Sequence, residues 1–421
     1  MKKQYLYVLL IGALLLSACG AKAPAEGVTE ITVMQWGSPE ELTVWQTITE
    51  EFQKVNPNIK VNVEVSDWDT YWTKVDTLFA AQTPPDIFAI DAPFYIDWQS
   101  RGALLNLQPY IDQTPGFLDG LYPKSLEVYH LDDGYYGLPR DFQTIVLFYN
   151  KDMFDAAGLE YPNDSWTYDD LRTAAKALTL DKDGDGKTDQ YGFNYDTWDL
   201  EPGWGEVIWS YGGEIVSDDY TKTLLGEPKA MAGWQLLYDM MMVDKSIPDP
   251  IAAGEFGSDP FLAGIAAMTP MGHWAVPEYS TGGFNMDVAP LPKGPAGDRF
   301  TSVNSAGFVI AKDSKAPDAA WEFIKYATSE DAQKKLTELG FAIPVYQKVA
   351  ESDVFLKQAA PINHQVFLDA IEYAKIKPSF KGYTEWSDVV GNALALIWSG
   401  EISLEEGIAA LVVEADAVLN K

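Results

Sequence analysis

Cysteine, histidine and positive charge are all scarce in this 421-residue chain, and each scarcity removes a class of function. Cys19 is the only cysteine, so no second thiol exists for paired thiol chemistry. The three histidines, His130, His273 and His364, are too scattered along the chain to suggest a zinc site. With 30 basic against 62 acidic residues the net charge is -32, which repels phosphate backbones, and nucleic acid is not expected as a partner. No G-x-S-x-G elbow, Walker A loop or G-x-G-x-x-G fingerprint occurs. After the first twenty residues no apolar run approaches the ~20 residues that a membrane-spanning helix needs.

What is present is a folded body behind a targeting segment. Hydrophobic residues make up 47% of the chain, and 14 Trp, 22 Tyr and 19 Phe supply too much apolar surface for a disordered protein. The length predicts two lobes. Met1 to Gly20 reads as a signal peptide, with Lys2 and Lys3 followed by the apolar run Tyr5 to Leu16. Leu16-Ser17-Ala18-Cys19 looks like a bacterial lipobox, which predicts cleavage after residue 18 and lipidation of Cys19. Residues 19–28 then form the lipidated end and a tether, and the acyl chains anchor an acidic protein to a membrane.

The mature chain opens with a βαβαβ pattern. Ile31 to Trp36 reads as a buried strand. Ser38 and Glu41 form a capping box around Pro39 for a helix that ends at Asn56-Pro57. Alternating Ile59, Val61, Val63 and Val65 predict a strand, Thr70 to Gln82 a helix and Asp86 to Ile90 a third strand. Parallel sheets bind ligands beyond the carboxyl ends of their strands, which singles out the loops at Trp36 to Ser38, Asp67 to Asp69 and Asp91 to Tyr95. Further on, Tyr168 to Leu178, Lys229 to Val243 and Pro317 to Lys335 read as helices. Ser403 and Glu406 cap the last one.

Two chemical signals stand out. Tryptophan recurs beside carboxylates, as in Asp67-Trp68-Asp69, Trp198-Asp199 and Glu385-Trp386, and indole faces with acidic groups suit a sugar's C–H faces and hydroxyls. Core packing explains any single one of these tryptophans equally well. The run Asp181-Lys182-Asp183-Gly184-Asp185-Gly186-Lys187-Thr188-Asp189 matches the start of an EF-hand loop, with Asp181, Asp183, Asp185 and Asp189 as ligands and the Lys187 carbonyl at the seventh position. A structural calcium is expected there, although the twelfth position is Gly192 rather than Glu. A solvated acidic turn is the alternative.

Several segments carry a family resemblance: Thr83-Pro84-Pro85-Asp86-Ile87, Tyr136-Gly137-Leu138-Pro139, Leu147-Phe148-Tyr149-Asn150-Lys151, Gly264-Ile265-Ala266-Ala267-Met268 with Gly272-His273-Trp274, and Ala319-Ala320-Trp321-Glu322-Phe323. In order and spacing the mature chain resembles the bacterial extracellular solute-binding proteins of family 1, the sugar-binding subunits of ABC importers that include maltose-binding protein. The resemblance implies an α/β, two-lobed, type II periplasmic-binding-protein-like fold with the ligand in the cleft. Lobe one would hold residues 29–141 and 305–343, and lobe two residues 142–304 and 344–421. Crossings would fall at Arg140 to Thr144, Asn304 to Gly307 and Gly340 to Pro344.

Carried over position by position, the resemblance implies a ligand site of Trp36, Ser38, Glu40, Asp91, Arg140, Asp141, Gln143, Trp204, Trp274 and Trp386. Loop placement adds Asp67, Trp68 and Trp198, and Asn304 comes from the second crossing. The expected activity is capture of a mono- or oligosaccharide by lobe closure and its delivery, by a lipid-anchored monomer outside the cytoplasm, to ABC permease subunits. An anchored glycoside hydrolase using paired cleft carboxylates stays open, as does the same fold binding a polyamine, peptide or iron chelate.

Overall fold

The computed structural model describes residues 27–255, 259–358 and 362–421. The expected signal peptide and the expected lipidation site, Cys19, lie outside these residues. Among the described residues no helix is long and apolar enough to cross a membrane.

The first lobe is built on a five-stranded sheet. β1 (Thr29–Trp36) buries Ile31, Val33 and Met34. It leads into α1 (Pro39–Val55), whose Trp45, Ile48 and Phe52 lie one and two turns apart and pack into the core. β2 (Ile59–Ser66), α2 (Trp68–Ala80) and β3 (Ile87–Asp91) complete the βαβαβ run. α2 starts two residues before the predicted helix, because the Asp67 carboxylate caps it by accepting from the Thr70 N–H at 3.0 Å. A short helix, α3 (Tyr95–Ser100), follows β3.

β4 (Gly137–Pro139) is an edge strand of this sheet. The chain then crosses through β5 (Gln143–Thr144) into β6 (Val146–Asn150), which belongs to the second lobe. There β6 lies between β7 (Met268–Met271) and β8 (Met286–Ala289), both antiparallel to it. The chain returns through β9 (Thr301–Asn304), which pairs antiparallel with β5, into β10 (Ala306–Ile310). The first sheet therefore has the order β2-β1-β3-β10-β4, with β10 antiparallel to both neighbours. That register sets Asp91 opposite Ala306 and Pro139 opposite Gly307. The ends of β1, β2, β3 and β4 thus share one edge, and both crossings leave from it. This is the two-lobed α/β arrangement expected from the sequence.

The predicted helix over Pro317 to Lys335 is two helices, α4 (Pro317–Ala327) and α5 (Glu330–Glu338). Ser329 interrupts them because its hydroxyl caps the second by accepting from the Ala332 N–H at 3.4 Å. Residues 345–358, expected in the second lobe, pack on the first. Tyr122 N–H donates to the Val345 carbonyl at 2.9 Å, Gln347 N–H to the Gly120 carbonyl at 2.9 Å, and Lys348 pairs with Glu330 at 2.7 Å. The chain rejoins the second lobe at β11 (Ala374–Ile376), parallel to β9, and ends in α6 (Tyr383–Trp398) and α7 (Leu404–Leu419). Ser403 and Glu406 form the predicted reciprocal cap of α7.

Candidate functional site

The shared strand ends bring charged groups from distant segments together. Asp91, the last residue of β3, is buried, and its Oδ1 accepts from Asn304 Nδ2 at 2.7 Å. Lys377, just past β11, sits 3.9 Å from Asp91 Oδ2 and 3.3 Å from Glu201 Oε2. Lys377 and Glu201 are both buried. One lobe therefore supplies Asp91, the crossing supplies Asn304, and the other lobe supplies Lys377 and Glu201. Behind them Glu206 accepts from Ser302 Oγ at 2.6 Å.

Burial controls the proton affinities here. It raises Asp91 above the ordinary carboxylate range, against the pull of the Lys377 charge and the Asn304 hydrogen bond. It pushes Glu201 up to about 8 although Lys377 opposes the shift, and Glu206 up to about 7. For Lys377 burial acts downward, yet the surrounding Glu201, Asp199 and Asp91 outweigh it and hold the ammonium well above its usual range. Among the described residues several buried acceptors have no partner: Glu201 Oε1, Glu206 Oε2 and, on β5, Gln143 Oε1. Such atoms are costly unless a donor reaches them.

An aromatic wall borders this cluster on the first lobe. Trp36, half-buried at the end of β1, meets the ring of Trp68 edge-on at 4.9 Å and stacks near Trp72 at 6.2 Å. Phe94 extends the wall, 6.1 Å from Trp68 and 5.5 Å from Tyr383 of the second lobe.

A family model described as bacterial extracellular solute-binding protein matches residues 36–334. The chain belongs to this family. A Brucella abortus relative named only for binding is 27% identical, with 98% of each chain covered. The maltotriose-binding protein of Pyrococcus abyssi is 25% identical, covering 87% of this chain and 77% of that one. Among solved structures, an ABC substrate-binding protein of Listeria monocytogenes in complex with cycloalternan superposes with a TM-score of 0.85 at 26% identity, over 93% of this chain and 98% of that one.

Within this solute-binding protein the expected site residues separate into three groups. Asp91, Asn304 and Gln143 meet at the junction, beside Trp36 and Trp68, the latter 39% exposed. Ser38, Glu40, Trp198 and Trp274 are exposed; Ser38 caps α1 by accepting from the Glu41 N–H at 3.2 Å.

The third group is committed elsewhere. Trp204 packs into the second core against Trp234 at 5.1 Å, and Trp386 is buried there with its Nε1 donating to Thr223 Oγ1 at 2.9 Å, so neither offers a face to a sugar. Arg140 is enclosed: it donates to Asp141 Oδ2 at 2.9 Å and Gln35 Oε1 at 2.6 Å and lies over Trp36, Trp45, Phe308 and Phe341. Asp141 is occupied by Arg140 and by the Ala306 N–H at 3.4 Å. Asp67 is used as the cap of α2, and that hydrogen bond holds its carboxyl below the usual range.

The sequence reading missed Lys377, Glu201 and Glu206, which carry no motif. It also chose Glu40 over its neighbour Glu41. Glu41 folds back over Gly37, where a Cβ would come within 1.9 Å of Oε2, and it feels the charges of Arg140 and Asp141. The predicted reciprocal bond from Glu41 to Ser38 is not among the cap contacts of α1.

The histidines are less scattered in space than along the chain. His273 Nε2 lies 3.1 Å from His364 Nδ1, both buried beside Phe355 and Phe367. Among the described residues the one cluster with metal-ligand spacing is Asp181, Asp183 and Asp189, whose oxygens lie within 4.8 Å of one another. Asp185 instead accepts from the Lys187 N–H at 2.8 Å. A Glu at position 192 is sterically barred, because a Cβ there would sit 1.9 Å from the Ala175 carbonyl oxygen.

Proposed function

We propose that this protein captures a carbohydrate outside the cytoplasm and hands it, unaltered, to the permease of an ABC importer, held at the membrane as a monomer by lipid on Cys19. The observation that carries the reading is the junction itself. Asp91 and Asn304 meet Lys377 and Glu201 across the two lobes, with buried acceptors that lack a partner among the described residues and suit hydroxyl donors, and with Trp36 and Trp68 alongside. The named ligands of the Pyrococcus and Listeria relatives are saccharides, which supports the same class here.

A guest touching both lobes binds the shut form better than the open one, and that difference drives closure. A micromolar site needs about 8 kcal/mol, within reach of a few charge-assisted hydrogen bonds and two indoles after ordering losses. Calorimetry of the mature chain against mono-, di- and trisaccharides should show one equivalent bound and recovered uncleaved. Silence across the panel, or release of new reducing ends, overturns the reading.

For the acidic loop we propose a structural calcium held by Asp181, Asp183, Asp189 and the Lys187 carbonyl, with Asp185 joining the shell when the ion binds. Calcium should raise the melting temperature relative to EDTA, and Asp183→Asn should remove most of that rise. An identical melt in calcium and in EDTA defeats the assignment.

A further inference from the structure

The two flanks of the junction differ. On the Phe94 side, residues 377–383 of the second lobe run directly against the segment after β3. Ser379 Oγ donates to the Pro93 carbonyl at 2.9 Å and accepts from the Ile96 N–H at 3.3 Å. Gly382 N–H donates to Asp97 Oδ1 at 3.1 Å, and the rings of Phe94 and Tyr383 meet edge-on at 5.5 Å. Just inside this seam lies Lys377, between Glu201 and Asp91. On the other flank the turn at 273–275 lies against β5, Trp274 is 37% exposed, and among the described residues no other ring packs on its indole.

We propose that residues 377–383 form an end wall of the binding groove, so that this receptor takes a saccharide by one terminus. The terminal ring stops at Lys377 and Asp91, and the remaining units point toward Trp274. The inference rests on the carbohydrate reading above and narrows it to end-first ligands. The reason is steric and polar together. A chain running through the groove at Phe94 would have to separate the Phe94 and Tyr383 rings and strip the partners from Ser379 and from the Gly382 N–H, whereas a chain ending at Lys377 leaves the seam intact. The wall is also anchored, because Phe380 and Tyr383 are buried in the second-lobe core and do not swing free.

The test uses maltotriose, cellotriose, mannotriose and chitotriose on the mature wild-type chain. The trisaccharide that binds most tightly is then compared with its 4-nitrophenyl glycoside, blocked at the reducing end, and with its 4,6-O-benzylidene derivative, blocked at the other end. One cap should weaken binding at least a hundredfold and the other less than tenfold. In the double variant Phe94→Ala, Ser379→Ala the larger penalty should fall at least tenfold. Tolerance of both caps overturns the inference, since the groove is then open at both ends. Loss with both caps also overturns it, since the site is then a closed pocket. If the double variant melts like the wild type and keeps the full penalty, the wall is not at 377–383. Should the variant fail to fold, the cap comparison on the wild type still decides. Failure of every uncapped trisaccharide where a mono- or disaccharide binds overturns the inference, whereas failure of mono-, di- and trisaccharides alike removes the carbohydrate reading itself.

Discussion

At the strand ends of the first lobe Trp36 is half-buried and Trp68 39% exposed, whereas in the second lobe Trp204, Trp234, Trp386 and Trp398 are shut into the core and Trp198 and Trp274 stay exposed. Both lobes place Trp beside acidic residues in sequence, so adjacency does not distinguish a stacking platform from a core residue. The difference is positional. Trp36 ends β1 and Trp68 follows the end of β2, and both stay partly open there although they pack on one another and on Trp72. Trp204 and Trp386 are covered by packed helices, and the Trp386 N–H is already bonded to Thr223.

Replacing Trp204 by Ala should give the largest effect of any change at the expected site residues, and it should be an effect on stability. Truncating a fully buried Trp costs about 3–5 kcal/mol from lost burial and the cavity left behind. The measurement is denaturant unfolding together with sugar affinity. The contrast between the lobes breaks if Trp204→Ala leaves the midpoint unchanged and abolishes binding.

A smaller effect comes from the second lobe's buried carboxylates and depends on pH. Glu201 has its folded value raised to about 8 by burial, from 4.5 when unfolded. Between these values the folded state holds more protons than the unfolded one, so this group's stabilisation is complete below pH 4.5 and is lost as pH rises through about 8. Glu206 adds to the same trend up to about 7. Glu201→Gln fixes the uncharged form, and its melting temperature should therefore fall less than that of the wild type between pH 5 and 8.5. Parallel profiles would mean that Lys377 keeps Glu201 ionised throughout. His273 acts in the opposite sense, because burial and His364 hold its value well below 6.5, so its contribution is lost as pH falls below that value.

The elements legible from sequence were those fixed by local rules. The period-2 pattern of Val61 and Val63, the helical spacing of Trp45, Ile48 and Phe52, and the Ser403 cap all depend on residues a few positions apart, and they appear at the expected places within a few residues. Parallel-sheet logic also located Asp91 at a strand end. The remainder of the site depends on long-range placement. Lys377 meets Asp91 across 286 positions, and nothing near either residue in sequence announces the pairing. The surroundings of Arg140 and Asp141 were hidden for the same reason: polarity beside a crossing looks like binding, whereas Gln35 and four aromatic rings enclose the guanidinium.

The finest test of the contrast is Trp68→Ala. With 39% of its surface exposed, Trp68 gives up less buried area on truncation than Trp204, and the folded state should lose little. Its ring is nevertheless held edge-on by Trp36 at 4.9 Å and flanked by Trp72 at 5.6 Å, which fixes its orientation before any guest arrives. A platform ordered in advance saves the entropy of immobilising a side chain on binding, so its removal should appear in affinity. The expected loss is about tenfold, or ~1.4 kcal/mol, with a melting temperature close to that of the wild type. Phe94→Ala alone controls for general loosening of the wall, since Phe94 touches Trp68, Trp72 and Tyr383 alike. If Trp68→Ala binds every saccharide as tightly as the wild type, Trp68 is a packing residue like Trp204 and Trp386, and the polar junction with Trp274 would have to hold the guest.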